Sequence, residues 1–158
     1  MAFKRRLVRE KVLQVLYAHE LSHESVDFLL GNIAAPLKHD PATFEFAKQL
    51  AYKAIEHLDE IDGMIRKRVE HWEFNRLAVI DKIILRIGIC ELLFFDDIPP
   101  KVTINEAIEI ARRYSTEKSD KFVNGVLDSI LNDLKTSGKL KKAGRGLLDI
   151  PHKKRPTT

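Results

Sequence analysis

The twenty residues Arg76–Phe95, RLAVIDKIILRIGICELLFF, hold fourteen apolar and five charged side chains. A helix that is apolar nearly all round belongs at the centre of a fold, because no face of it prefers water. Asp81, Lys82, Arg86 and Glu91 interrupt the run between Leu77 and Phe95, and each would be costly in hydrocarbon, so the stretch reads as a buried helix and not as a membrane span. An unpaired charge inside such a helix is expensive. Arg86 and Glu91 are therefore expected to find ion-pair partners; a structural pair is the first reading of them and catalysis the lesser one. Asn75 is the expected cap of this helix.

Working towards the N-terminus, helical spacing continues with no sustained alternation of period two. A first helix is predicted from about Lys4 to Leu21, with Val8, Val12, Val15 and Leu16 on one side. A short helix follows Ser25 through Leu30, ended by Gly31 and Asn32. Asp40 and Pro41 read as an N-cap and first helical residue, ahead of Phe44, Ala47, Ala51, Ile55 and Leu58 at helical spacing. Asp59 restarts the helix, which puts Ile61, Ile65 and Trp72 on a separate one.

Towards the C-terminus, Asp96–Pro100 must be a loop, since two prolines remove donors and helical geometry. Thr103 and Glu106 form a capping-box pattern before Ile104, Ala107, Ile108 and Ala111. A last helix starts near Ser119 and carries Val123, Val126, Leu127, Ile130, Leu131 and Leu134. Periodicity stops after Gly138, so residues 1–137 are expected to form one all-helical domain and residues 138–158 a basic, flexible tail.

A chain of 158 residues supports one core and needs no disulfide or metal staple. Seven Gly and six Pro are few for an all-β sandwich or barrel. A single Cys90 and no apolar leader point to a cytoplasmic protein.

The net charge of +4 is unevenly placed. Residues 1–11 carry +4 and residues 138–158 carry +6, which leaves −6 for the body between them. Two basic ends on an acidic body form a footprint for a polyanion, although a basic tail is about equally often only a solvated end.

No Walker loop, GxGxxG, CxxC or HExxH is present, so enzyme readings lack their usual anchors and no cofactor is expected. His19 and His23 lie four apart, but a metal site needs a third ligand.

Lys4, Arg5, Arg6 and Arg9 crowd a helix start, where cations oppose the macrodipole. Either phosphate or an acidic neighbour on the body offsets them. On the last helix, taking roughly 100° per residue, Phe122 lies about 110° from the aliphatic direction and only about 40° from Lys118. Phe122 is thus a flank residue beside Lys118 and Lys121. It either offers a base-stacking face or packs on another helix, and Gly125 next to it admits a ligand or a backbone closely.

The segments KRRLVREKVLQVLY, LRIGICEL and IPPKVTINEAIEIARRYSTEKSDKFVNGVLD, in that order, resemble the NusB family of transcription antitermination factors. The resemblance spans Lys4 to about Leu134, and KFVNGVLD with VTINEAIEIA is its specific part. It implies a compact all-α bundle of about seven helices in two packed three-helix halves. It also implies binding of single-stranded boxA RNA in ribosomal RNA leaders, pairing with ribosomal protein NusE, and assembly with other Nus factors on RNA polymerase; a homodimer is a further possibility in such a family. By motif, Arg5, Arg6 and Arg9 match the arginine-rich RNA-binding start, which Lys4 adjoins as a further candidate, and Lys121, Phe122 and Asn124 match KFVNG. Lys118 stands where family members can carry an acid. Tyr17 and Asp81 are weaker matches to the partner surface. The competing class is a non-catalytic helical protein-interaction module whose basic ends bind acidic partners.

Overall fold

The structure, a computed structural model, describes residues 2–148. Among these residues there are eight α-helices, two short 3₁₀ turns and no strand. The helices are α1 (Ala2–Ser22), α2 (Val26–Ile33), α3 (Pro41–Glu56), α4 (Leu58–Arg66), α5 (His71–Arg76), α6 (Val79–Phe94), α7 (Pro100–Tyr114) and α8 (Ser119–Thr136).

Several boundaries follow the local chemistry read from the sequence. Ser25 Oγ accepts the Phe28 N–H at 3.1 Å and caps α2; Asp40 caps α3 by accepting the N–H groups of Ala42 and Thr43. Others differ. Gly31 and Asn32 do not end α2, which runs on to Ile33. Asn75 sits inside α5, and the cap position of α6 falls to Ala78. The Glu73 carboxylate accepts the Glu70 N–H at 3.3 Å, so the segment 71–76 closes its own helical turns before α6 begins; the Trp72 side chain lies outside the described residues. Thr103 and Glu106 do not cap α7, which starts three residues earlier at Pro100, where the missing proline N–H costs nothing. Both side chains turn inward and bond to other helices instead.

α6 is the central element. Eleven of its sixteen residues are buried, and it packs against α1, α3, α4, α7 and α8. One group, α1–α3, is held together by α1 against α2 and α3, and the other, α6–α8, by α7 against both its neighbours. The two three-helix groups meet where α6 crosses α1 and α3, with α4 and α5 as the connection. Gly88 sets the spacing of α6 and α8, for a Cβ there would stand only 3.0 Å from a Leu127 methyl.

The buried charges of α6 are paired as expected. Arg86 donates to both carboxylate oxygens of Asp62 on α4, at 2.8 and 2.9 Å, with Glu20 of α1 at 3.5 Å. Glu91 takes Arg9 of α1. These pairs tie the two helix groups across the core, and truncating one member would leave the other charge buried alone.

The chain beyond α8 does not lose structure at once. Gly138 adopts φ +73, and the N–H groups of Lys139 and Leu140 return to the Leu134 carbonyl, a glycine C-cap. Residues 139–148 then fold back on the end of α6. Lys142 Nζ donates to the carbonyls of Glu91 (3.0 Å) and Phe95 (2.7 Å), as a second donor to each beside the Phe95 and Ile98 N–H groups, and the Ala143 N–H bonds to Asp96 O at 3.0 Å. The remainder of the basic tail lies outside the described residues. Within those residues no helix is long and apolar enough to cross a membrane.

Leu85 is fully buried. Leu85→Ala should cost about 2 to 5 kcal/mol in urea unfolding through lost contact and a cavity. A neutral result would contradict the central placement of α6.

Candidate nucleic-acid interface

The basic start of α1 is where the sequence demanded an anion, and the structure shows an acid for every cation. Lys4 Nζ lies 3.5 Å from Asp40 Oδ2, and Arg5 Nη2 lies 3.5 Å from Asp97 Oδ2. The Arg5 guanidinium also stands over the Phe46 ring, 4.9 Å from its centroid. Arg6 grips Glu106 of α7 with two bonds, at 2.7 and 2.9 Å. Arg9 grips Glu91 of α6 with two bonds of 2.7 Å.

These four pairs are not equivalent. The Lys4 and Arg5 contacts are long and solvated, of a kind that contributes between nothing and about 1 kcal/mol, so a phosphate can take either cation at little cost. Arg6 is intermediate: its side chain is 43% exposed while Glu106 is 10% exposed, and the hydrogen bond and charge of Glu106 hold its pKa above the ordinary value. Arg9 belongs to a different class. Its side chain is 3% exposed and that of Glu91 1%. Burial works hardest against the Arg9 charge, yet the Glu91 charge and hydrogen bonds outweigh it, and the pKa stays above its ordinary value. Arg9, expected at the RNA surface from its place in the arginine-rich start, is therefore a core residue. The run of basic residues misplaces it, whereas the helical period points it inward, since Arg9 lies one residue from Val8 and three from Val12, both fully buried.

Asp81 is likewise internal. It accepts hydrogen bonds from Ser115 Oγ (2.6 Å) and Ser119 Oγ (3.1 Å) and is 9% exposed. These bonds fix the α7–α8 loop and, through Ser119, the first turn of α8. Tyr17, by contrast, is exposed on α1, as is Leu21 one turn on.

The start of α8 carries the second basic group. Lys118 and Lys121 are exposed, and Phe122 and Asn124 are half-buried. Phe122 packs at the edge of the core, the flank position that its angle from the aliphatic stripe predicted. Gly125 is exposed, and a Cβ there would meet nothing within 4 Å, so no helix backbone packs on it. Lys118 and Lys121 make no ion pair among the described residues.

α7 joins the two groups. Arg6 of α1 binds Glu106, Glu10 of α1 binds Arg113 at 2.8 Å, and Arg112 binds Asp120 of α8 at 3.1 Å. The Arg112 hydrogen bond, the largest cause, holds the Asp120 carboxyl below the usual carboxylate range. A continuous charged surface therefore runs from the α1 start across α7 to the α8 start. Between α7 and α8 a groove is lined by Lys101, Asn105, Asn124, Asp128 and Lys135. Lys101, Asn105 and Lys135 went unread in the sequence; the signal available was their i, i+4 spacing on α7 and the polar flank of α8. No cluster of three metal-ligating side chains occurs among the described residues, and His19 bonds instead to the Glu24 carbonyl at 2.7 Å.

Residues 6–132 match the family model described as the NusB family. The chain is 49% identical over 155 residues, 98% of its own length and 74% of the relative's, to the transcription antitermination protein NusB of Chloroherpeton thalassium. Among solved structures it is similar to NusB of T. maritima, with TM-score 0.77 and 43% identity over 82% of this chain and 91% of that one. It is also similar to a chain in the crystal structure of antitermination factors NusB and NusE in complex with dsRNA, with TM-score 0.76 and 30% identity over 84% and 99%.

Breaking the buried pair from one side tests the assignment of Arg9. Arg9→Ala should destabilise the protein by about 3 to 5 kcal/mol, because Glu91 is left buried and unpaired. Denaturant unfolding reads this, and a loss below about 1 kcal/mol would place Arg9 in solvent.

Proposed function

This chain belongs to the NusB family, and from that premise we propose that it is an RNA-binding transcription antitermination factor. In this reading it binds boxA of nascent ribosomal RNA transcripts together with ribosomal protein NusE and joins the other Nus factors on RNA polymerase. Its role is non-catalytic, and its place is the cytoplasm, where transcript and ribosomal protein meet.

The observation that carries the reading is the surface joining the α1 start to the α8 start. It presents Lys4, Arg5, Arg6, Lys118 and Lys121 for phosphates, and Phe122 beside the open Gly125 for a base. The acids that hold Arg5 and Arg6 in the free protein keep those side chains extended at the surface, so RNA meets a partly ordered set of cations and less side-chain entropy is lost on binding. Asn124 in the adjoining groove supplies both a donor and an acceptor to a base edge. Tyr17, exposed with Leu21, is the candidate contact for NusE, and Asp81 acts on the site only by holding the α8 start in place.

Titration with single-stranded and duplex boxA-like RNA over a range of salt concentrations tests the site. Arg5→Ala with Arg6→Ala should make the slope of log affinity against log salt shallower by about 1.4 for single strands, two phosphates at about 0.7 each. An unchanged slope would move the site elsewhere.

Phe122→Ala should weaken RNA binding by about 1 to 3 kcal/mol with little change in slope, if a base stacks on the ring. A large loss of stability at normal affinity would make Phe122 a packing residue alone.

NusE and RNA should each raise affinity for the other by a coupling on the order of 1 to 3 kcal/mol, equal in both directions by linkage. Isothermal titration around the full cycle reads it. RNA affinity indifferent to NusE would favour a solitary RNA binder.

A further inference from the structure

We infer that residues 139–148 form a second arm of the RNA-binding surface, a strap that Lys142 and Gly146 hold beside the basic start of α1. The inference rests on the RNA-binding reading above and extends it to a segment outside the 6–132 match.

The strap, KLKKAGRGLL, carries four cations and no acid. One of them is used internally. The Lys142 amine closes the end of α6 through the Glu91 and Phe95 carbonyls, at the negative end of the helix dipole. The other three, Lys139, Lys141 and Arg145, are exposed and make no ion pair among the described residues.

Three contacts place these cations at the α1 start. The Ala143 N–H bonds to Asp96 O, and the adjacent Asp97 is the partner of Arg5. Phe95, whose carbonyl receives Lys142, sets its ring edge-on against Phe46 at 5.6 Å, and Phe46 lies under the Arg5 guanidinium. Strap and α1 start thus share one short segment, Phe95–Asp97. Gly146 is buried there, and a Cβ on it would overlap the Asp96 carbonyl, so this packing admits only glycine. The anchoring leaves Lys141 and Arg145 exposed on a strap pinned to Asp96, the neighbour of the Asp97 that holds Arg5, where charge complementarity and continuity favour the phosphates of an RNA strand already held by α1.

Three full-length proteins test this against single-stranded boxA-like RNA in a salt titration. Lys141→Gln with Arg145→Gln should keep wild-type unfolding and make the salt slope shallower by about 1.4, two phosphates at about 0.7 each. Gly146→Ala retains every charge but displaces the strap. Hydrogen exchange should then rise at residues 139–148, and RNA affinity should fall several-fold with the rest of the fold protected as in the wild type. Wild-type slope and affinity in the glutamine variant would overturn the inference while leaving the RNA reading intact. Reduced affinity in the glutamine variant with normal affinity in Gly146→Ala would overturn the placement, since loose charge would then suffice. A wild-type protein that binds no RNA would overturn the inference together with the reading beneath it.

Discussion

The buried ion pair between Arg9 and Glu91 is the contact on which the rest of the arrangement depends. Four segments meet at it. α1 supplies the guanidinium, α6 the carboxylate, α7 the Thr103 hydroxyl that donates to Glu91 Oε1 at 3.0 Å, and the C-terminal strap the Lys142 amine on the Glu91 carbonyl. Desolvating two charges is costly, and the cost is offset only when geometry is good and the remaining lone pairs are filled. Both conditions hold here. Such a pair fixes the register of α1 on α6, because sliding α1 by one turn would bury both charges unpaired.

That register decides what the surface can do. With Arg9 committed to the core, Arg5 and Arg6 are brought to the rim, and Glu10 is brought to Arg113. α7, aligned by Thr103 and Glu106 from below, then carries the charged surface to Asp120 and the start of α8. Asp81 completes the chain from the other side through Ser115 and Ser119. The candidate interface is therefore a consequence of polar contacts inside the fold, and its cations are arranged by acids of the same chain. This also explains how a body with net negative charge presents basic side chains at a helix start: the acids are spent on orienting them.

The helices themselves were legible because periodicity and caps are local. Asp40 and Pro41 act where their chemistry said they would, α2 follows Ser25 as its spacing predicts, and the crowding of apolar residues over 77–95 placed α6 in the centre. The partners of Arg86 and Glu91 were legible only as a need, since pairing across 24 or 82 residues is set by packing. Thr103 and Glu106 show the limit most clearly. Their spacing suits a capping box, but Pro100 starts the helix earlier and both side chains are drawn inward by Glu91 and Arg6. Arg9 was read with its neighbours as one basic run, although its position beside Val8 and Val12 on the helix marked it as inward-facing. The strap has no periodicity to read; what orders it is the pair of carbonyls at the end of α6 whose remaining lone pairs take Lys142 across 51 and 47 residues of chain, a distance that sequence alone does not close.

The most direct test of this account is the salt dependence of RNA affinity in a protein carrying Arg9→Met and Glu91→Leu together. Replacing both partners with apolar side chains of similar volume keeps the crossing of α1 on α6 filled, and with it the register, while removing the ion pair without stranding either charge. If Arg9 serves the fold and Arg5 and Arg6 serve the RNA, the doubly substituted protein remains folded and binds with the slope of the wild type. A slope shallower by about 0.7, one phosphate contact for a single strand, in a protein with wild-type helicity and cooperative unfolding would show that Arg9 reaches the RNA, and would contradict the account.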